Sequence, residues 1–170
     1  MTLPTANPLV TALATGQPES YGALYDRLAR SLLRVARVML RDSSEAEDAV
    51  QDVFVELVRY RDRLTHVQDL DAYVFTILRY GVLRRLRRQQ KERRRLRELT
   101  RIETHKQEFC SADELDRALK SLPPQQREVI ALKIDGGLTF AQIAEVLDVN
   151  ANTAASRYRY ALKKLRQLLE

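Results

Sequence analysis

The sequence predicts an all-α protein: two small helical domains joined by a flexible linker, the C-terminal one a helix-turn-helix. Three observations predict it. Leu, Arg, Ala and Glu dominate the 170 residues, there are only five glycines and five prolines, and Val, Ile and Thr form no alternating runs; that is a helix-forming composition. Apolar residues recur at spacings of three and four along most of the chain, the period of an amphipathic helix. Three Ser/Thr-x-x-Glu/Gln patterns (Ser44/Glu47, Ser111/Glu114 and Thr139/Gln142) have the form of capping boxes. With 45% apolar residues, a chain of this length can bury real cores.

Residues 1–18, with Pro4, Pro8, Gly16 and Pro18, read as a loose arm. Over 19–40 the positions Tyr21, Leu24, Tyr25, Leu28, Leu32, Val35, Ala36 and Met39 form one apolar stripe, which predicts the first helix. The break at 41–43 is followed by a helix starting at Ser44, with Ala46, Ala49, Val50, Val53, Phe54 and Leu57 turned inward. Residues 59–68 are polar and end in a turn. Asp69 or Asp71 then caps a third helix whose inward positions are Tyr73, Ile77, Leu78, Val82 and Leu86. Domains are expected over 19–97 and 112–170. Between them, 98–111 lacks a clean apolar period and reads as a linker able to reach about 35–50 Å when extended.

In the second domain, Ser111 and Glu114 open a helix over 113–122. Pro123-Pro124 stops it, and Pro124 starts another over 125–134, which Gly136-Gly137 ends. Thr139 opens a short helix over 140–147, with Ile143, Ala144 and Leu147 inward. After a turn at 148–149, Asn150 or Asn152 caps a last helix, with Ala154, Tyr158, Ala161, Leu162 and Leu165 inward.

Charge is unevenly spread. Residues 84–106 hold eleven Lys/Arg against three Glu, whereas 42–56 hold six acids and no base. Separation of this kind suits two partners of opposite sign, a polyanion and a basic protein surface; charged runs are also common on solvated helix faces. No apolar stretch approaches the roughly twenty residues of a membrane span, and no secretory leader is visible. Cys110 stands alone, which suits a reducing, cytoplasmic setting. His66 and His105 are far apart, so no metal site is expected. No phosphate-cradling glycine loop and no nucleophile with its base is present, so neither a cofactor nor a catalytic residue is expected.

A short helix, a three- or four-residue turn and a longer helix form a helix-turn-helix. The outer face of the second helix would present Asn152, Thr153, Ala155, Ser156, Arg157 and Arg159 to a major groove, with Lys163 further along. The runs Leu122-Pro123-Pro124-Gln125-Gln126-Arg127-Glu128-Val129-Ile130, Leu138-Thr139-Phe140-Ala141-Gln142-Ile143-Ala144-Glu145 and Thr153-Ala154-Ala155-Ser156-Arg157-Tyr158 resemble region 4 of the sigma-70 family, and more narrowly its small two-domain, extracytoplasmic-function (ECF) type. The resemblance implies contact with the −35 promoter element and the polymerase beta flap. Asp148 stands where the family's turn usually has Gly, and Ala155 where a Lys is common.

The first domain strengthens the resemblance. Ser44-Glu45-Ala46-Glu47-Asp48-Ala49-Val50-Gln51-Asp52-Val53-Phe54 resembles sigma region 2.2. Asp48, Gln51 and Asp52 share one helix face, and the resemblance assigns Glu47, Asp48, Gln51, Asp52 and Phe54 to the beta-prime coiled coil of core RNA polymerase. Residues 69–89 resemble regions 2.3 and 2.4, which open and hold the −10 element. Arg79, Arg84, Arg85, Arg87 and Arg88 can follow phosphates, and Tyr73 and Tyr80 can stack on unpaired bases, although Tyr73 reads equally well as a core residue. Tyr73 stands where the family often has Trp and Tyr80 where it often has Asn. An inhibitory anti-sigma partner is implied by the resemblance alone. The competing readings are a helix-turn-helix regulator that never meets polymerase, a nucleic-acid-processing enzyme, and a sigma-like protein that has lost promoter opening.

Overall fold

The computed structural model describes residues 7–99 and 114–170. Among them the secondary structure is wholly helical.

The predicted loose arm contains a helix, α1 (Pro8–Ala14). Asn7 Oδ1 accepts from the Leu9 amide at 3.0 Å and Pro8 occupies the first turn, where its missing N–H costs nothing. Leu13 is fully buried, Val10 nearly so, and the Tyr21 hydroxyl donates to the Leu13 carbonyl at 2.8 Å. Two apolar side chains spaced three apart were too short a pattern to stand out from the prolines around them.

Helix α2 (Pro18–Leu40) buries Leu24, Leu28, Leu32, Val35, Ala36 and Leu40. Tyr25, expected inward, is 51% exposed and lies against Phe54 with ring centroids 5.0 Å apart. Arg41 ends α2 in the left-handed region, at φ 61°. Helix α3 (Ser43–Arg59) begins earlier than expected. Asp42 caps it, accepting from the Glu45 amide at 2.9 Å, so the Ser44/Glu47 pattern is not the cap. The polar stretch that follows is a short 3₁₀ helix, Arg61–His66, pinned by fully buried Leu64 and packed against α1. Asp69, rather than Asp71, caps α4 (Leu70–Leu99) through a 2.9 Å bond from the Ala72 amide. Past Val82 no residue of α4 is fully buried, and Leu86 is its last apolar side chain packed against the core.

The remainder of the expected linker, and the Ser111 cap, lie outside the described residues. The second lobe holds α5 (Glu114–Ser121), α6 (Pro124–Ile130), α7 (Phe140–Leu147) and α8 (Ala151–Leu169). Arg127 donates to the carbonyls of Leu119 and Leu122 at 3.1 and 2.9 Å, fastening α6 onto the end of α5. Burial, with Arg41 nearby, lowers the pKa of its guanidinium.

The helix expected over 125–134 is not regular. It widens into a π turn, Ala131–Asp135, closed by Gly136 N–H to Ala131 O at 2.9 Å. A Cβ at Gly136 would meet the Leu132 carbonyl at 2.6 Å, so only glycine fits there. Both halves of the Thr139/Gln142 capping box are present, and Asn150 rather than Asn152 caps α8. Leu162, expected inward, is 40% exposed, while Ala118, Leu122, Ile130, Ala161 and Leu165 fill a small core between α5, α6 and α8.

The two lobes also pack on each other. One apolar cluster includes Leu32, Val74 and Phe75 of the first lobe and Leu132, Ile143 and Val146 of the second. Helix α4 meets α7, and α2 meets α6 and the π turn.

Candidate functional site

Three surfaces collect the residues singled out by the sequence. The first is the outer face of α3. Its apolar stripe buries Ala46, Ala49, Val50, Val53 and Leu57, so the opposite side must face water. Glu47, Asp48, Gln51 and Asp52 are all exposed there. Glu47 pairs with Arg37 at 3.3 Å, an exposed contact of little energetic weight. Asp52 pairs with Arg85 at 2.6 Å. Phe54 is half-buried beside Tyr25. Val55 and Val58 continue the stripe at helical spacing and are 55% and 51% exposed. Sequence reasoning passed over them, although seven and ten positions beyond Asp48 place them on its face.

The second surface is α4, whose arginines point in three directions. Arg85 is largely buried and sits between Glu45 at 3.2 Å and Asp52 at 2.6 Å; Arg88 reaches Glu45 at 2.7 Å. These two face α3. Arg79 points to the second lobe and pairs with buried Glu128 at 2.7 Å. Tyr73, Tyr80, Arg84 and Arg87 share a third face, being seven, four and three positions apart. Tyr80 is 63% exposed, and Arg84 and Arg87 are exposed and make no ion pair among the described residues. Tyr73 is half-buried against the core, and that burial raises the pKa of its hydroxyl, with Arg63 opposing. Of the proposed base-stacking pair, Tyr80 alone is exposed.

The third surface is α8. Ala154 is buried against α7 and Tyr158 meets Phe140 edge-on at 5.6 Å, which fixes the rotation of the helix. The opposite side then carries Asn152, Ala155, Ser156, Arg159 and Lys163 at spacings of three and four, with Thr153 and Arg157 at its flank. Asn152, Arg159 and Lys163 are exposed, the others half-buried. Phe140, Asn152, Ala155, Tyr158 and Arg159 line a hollow of about 440 Å³. Ala155 is one of its lining residues, so a longer side chain at that position would enter the hollow. Lys133 donates to the Leu138 carbonyl at 2.9 Å and sits over the Phe140 ring, which ties the π turn to the start of this motif.

Asp148 occupies the turn at φ 53°, ψ 52°, the left-handed conformation that glycine adopts most readily. Replacing Asp148 by Gly should raise stability by about 0.5–1 kcal/mol by removing that steric cost. A urea titration measures it; an unchanged or lower midpoint would show that the aspartate side chain itself holds the turn.

Among the described residues there is no cluster of His, Cys, Asp or Glu able to hold a metal ion, and no helix long and apolar enough to cross a membrane.

Comparison with known proteins places these surfaces in a family. The pattern described as "Sigma-70 region 2" matches residues 24–92 and that described as "Sigma-70, region 4" matches 112–165. The ECF RNA polymerase sigma factor SigK of Mycobacterium ulcerans is 26% identical over 177 residues, spanning 96% of this chain and 93% of its own length. SigM of Mycobacterium tuberculosis strain H37Rv is 28% identical over 162 residues, spanning 95% and 83%. Two solved structures share the fold. The sigma factor RpoE, in complex with the anti-sigma factor NepR from Bartonella quintana, has a TM-score of 0.74 at 23% identity, covering 89% of this chain and 97% of that one. CnrH, in complex with the cytosolic domain of CnrY, has a TM-score of 0.71 at 24% identity, covering 95% and 94%. With an acidic helix matched by one region, a helix-turn-helix by the other, and both on one continuous chain, the protein belongs to the sigma-70 family as an ECF-type sigma factor for transcription initiation.

Proposed function

We propose that this sigma factor docks on core RNA polymerase through α3, reads the −35 element with α8, and captures the opened −10 strand along α4. The observation that carries the reading is the division of charge between neighbouring helices. α3 exposes Asp48 and Gln51, while α4 exposes Arg84 and Arg87 beside Tyr80. The acidic face suits a basic coiled coil. The basic face suits phosphates, which supply most of the affinity for DNA but no sequence information. Sequence choice then falls to the α8 face, where Asn152, Arg157 and Arg159 can reach base edges. A partner of the anti-sigma kind, as in the RpoE–NepR complex, would act by covering these surfaces.

Run-off transcription with core polymerase and genomic DNA fragments tests the reading. Discrete transcripts should appear only when the chain is added. A regulator that never meets polymerase would bind duplex fragments alone and yield none. Tyr80→Ala should weaken open-complex formation by about 1–3 kcal/mol, the range for losing one base-stacking ring, with closed-complex binding kept. Permanganate footprinting measures this, and an unchanged footprint would remove Tyr80 from the strand-holding role.

A further inference from the structure

The outer face of α8 is not polar throughout. Asn152, Ala155 and Arg159 follow one another at spacings of three and four, so they lie on one stripe. Between the two hydrogen-bonding side chains stands a single methyl group. Ala155 lines the hollow of about 440 Å³ together with the rings of Phe140 and Tyr158. Phe140 is held in place there: Tyr158 meets it edge-on at 5.6 Å, and Lys133 Nζ lies 4.9 Å from its ring centroid. Phe140, Ala155 and Tyr158 are half-buried, whereas Asn152 and Arg159 are exposed. The apolar lining is therefore partly covered yet still reachable from solvent. Arg159 also donates to Ser156 Oγ at 3.2 Å, which ties its guanidinium to its own helix.

We propose that this hollow receives the C5-methyl group of a thymine in the −35 element, and that Ala155 is the residue that sets this preference. The proposal rests on the promoter reading above and names the base selected at one position. Three arguments support it. The first is chemical. In the major groove every base presents hydrogen-bonding groups, and thymine adds the one apolar group, its methyl. The Ala155 side chain has no donor or acceptor. A cytosine amino group turned toward it would give up water without replacement, and an unpaired buried polar group is costly. A methyl in the same place leaves water for contact with Ala155 and the Phe140 ring, which is favourable. The second argument is geometric. From residue 152 to residue 159 the helix advances about 10.5 Å at about 1.5 Å per residue, which matches about three base-pair steps of about 3.4 Å. The hollow thus faces the pair between those within reach of Asn152 and Arg159. The third is electrostatic. Helix α8 carries five Lys/Arg and no acid, so the molecule that presents an apolar group to this hollow is a polyanion.

The experiment uses the full chain bound to core polymerase. Duplexes that it retains from a randomised pool are sequenced, and the recovered −35 motif is rebuilt with each thymine replaced singly by deoxyuridine, which lacks only the methyl. At one position the replacement should weaken binding about 4-fold, the worth of one buried methyl group. Cytosine placed there should bind worse than thymine, and 5-methylcytosine should recover about 4-fold over cytosine. Ala155→Lys fills the hollow with a side chain that pairs with guanine O6 and N7. Its own selected motif should carry guanine at that position, and deoxyuridine there should no longer matter. If the lysine variant binds DNA without selectivity, Ala155→Gln, whose amide pairs with adenine, takes its place with adenine as the expected base.

A recovered motif in which no thymine responds to deoxyuridine overturns the proposal and leaves the promoter reading standing. So does a response that persists unchanged in the Ala155 variants, because the methyl then acts through the duplex and not through the hollow. A pool from which no motif emerges overturns the promoter reading and this proposal together, so the two failures are told apart.

Discussion

Immobilised core RNA polymerase should fail to retain a chain carrying Asp48→Lys together with Gln51→Lys, while the melting temperature of that chain stays within about 3 °C of the parent. Both positions are exposed, and neither makes an ion pair or side-chain hydrogen bond among the described residues. Their replacement therefore removes nothing that holds the lobe together. At a docked interface the same change places two cations against a basic helix. Disrupting a desolvated charge contact costs about 2–5 kcal/mol, which is a loss of about 30-fold to several thousandfold in affinity. Asp52 is deliberately left out. Its carboxylate also holds Arg85, so reversing it would mix a docking defect with a packing defect. Retention equal to the parent would exclude the outer face of α3 as the docking surface.

The second large effect lies far from any partner. Leu13→Ala should destabilise the first lobe by about 2–5 kcal/mol, the range for a fully buried leucine truncated in a packed site. Leu13 has no exposed surface. Its helix packs on the 3₁₀ segment around Leu64, and its carbonyl receives the Tyr21 hydroxyl. A folded domain typically holds only about 5–15 kcal/mol in all, so the loss should be plain in a urea titration. A midpoint unchanged by the substitution would mean that α1 is a tether and not part of the core.

Much of this architecture was legible because the chain states it locally. The Thr139/Gln142 box, the Asn150 cap and the three-four spacing in α2, α3 and α4 each depend on residues within a few positions of one another. The acidic and basic faces were readable for the same reason. What escaped depended on distance or on unusual backbone. Arg79 and Arg85 look alike in sequence, yet one faces Glu128, 49 positions on, and the other faces α3. Period alone put Tyr25 and Leu162 inside. Tertiary packing instead left Tyr25 tilted against Phe54 at the surface and Leu162 outside the small α5–α6–α8 core. The π turn at Ala131–Asp135 adds a residue to one turn of helix, a local widening that no count of apolar positions reveals.

The separation of Arg79 from Glu128 along the chain has a consequence for synthesis. The first lobe is complete before the second leaves the ribosome. At about 5–20 residues per second, the 49 positions between the two residues correspond to about 2–10 s. For at least that interval a newly made molecule presents Arg79 bare, because α6 shares its small core with Ala161 and Leu165 of α8. The nascent chain therefore passes through an uncovered form, and only afterwards does its second lobe fold back over Arg79.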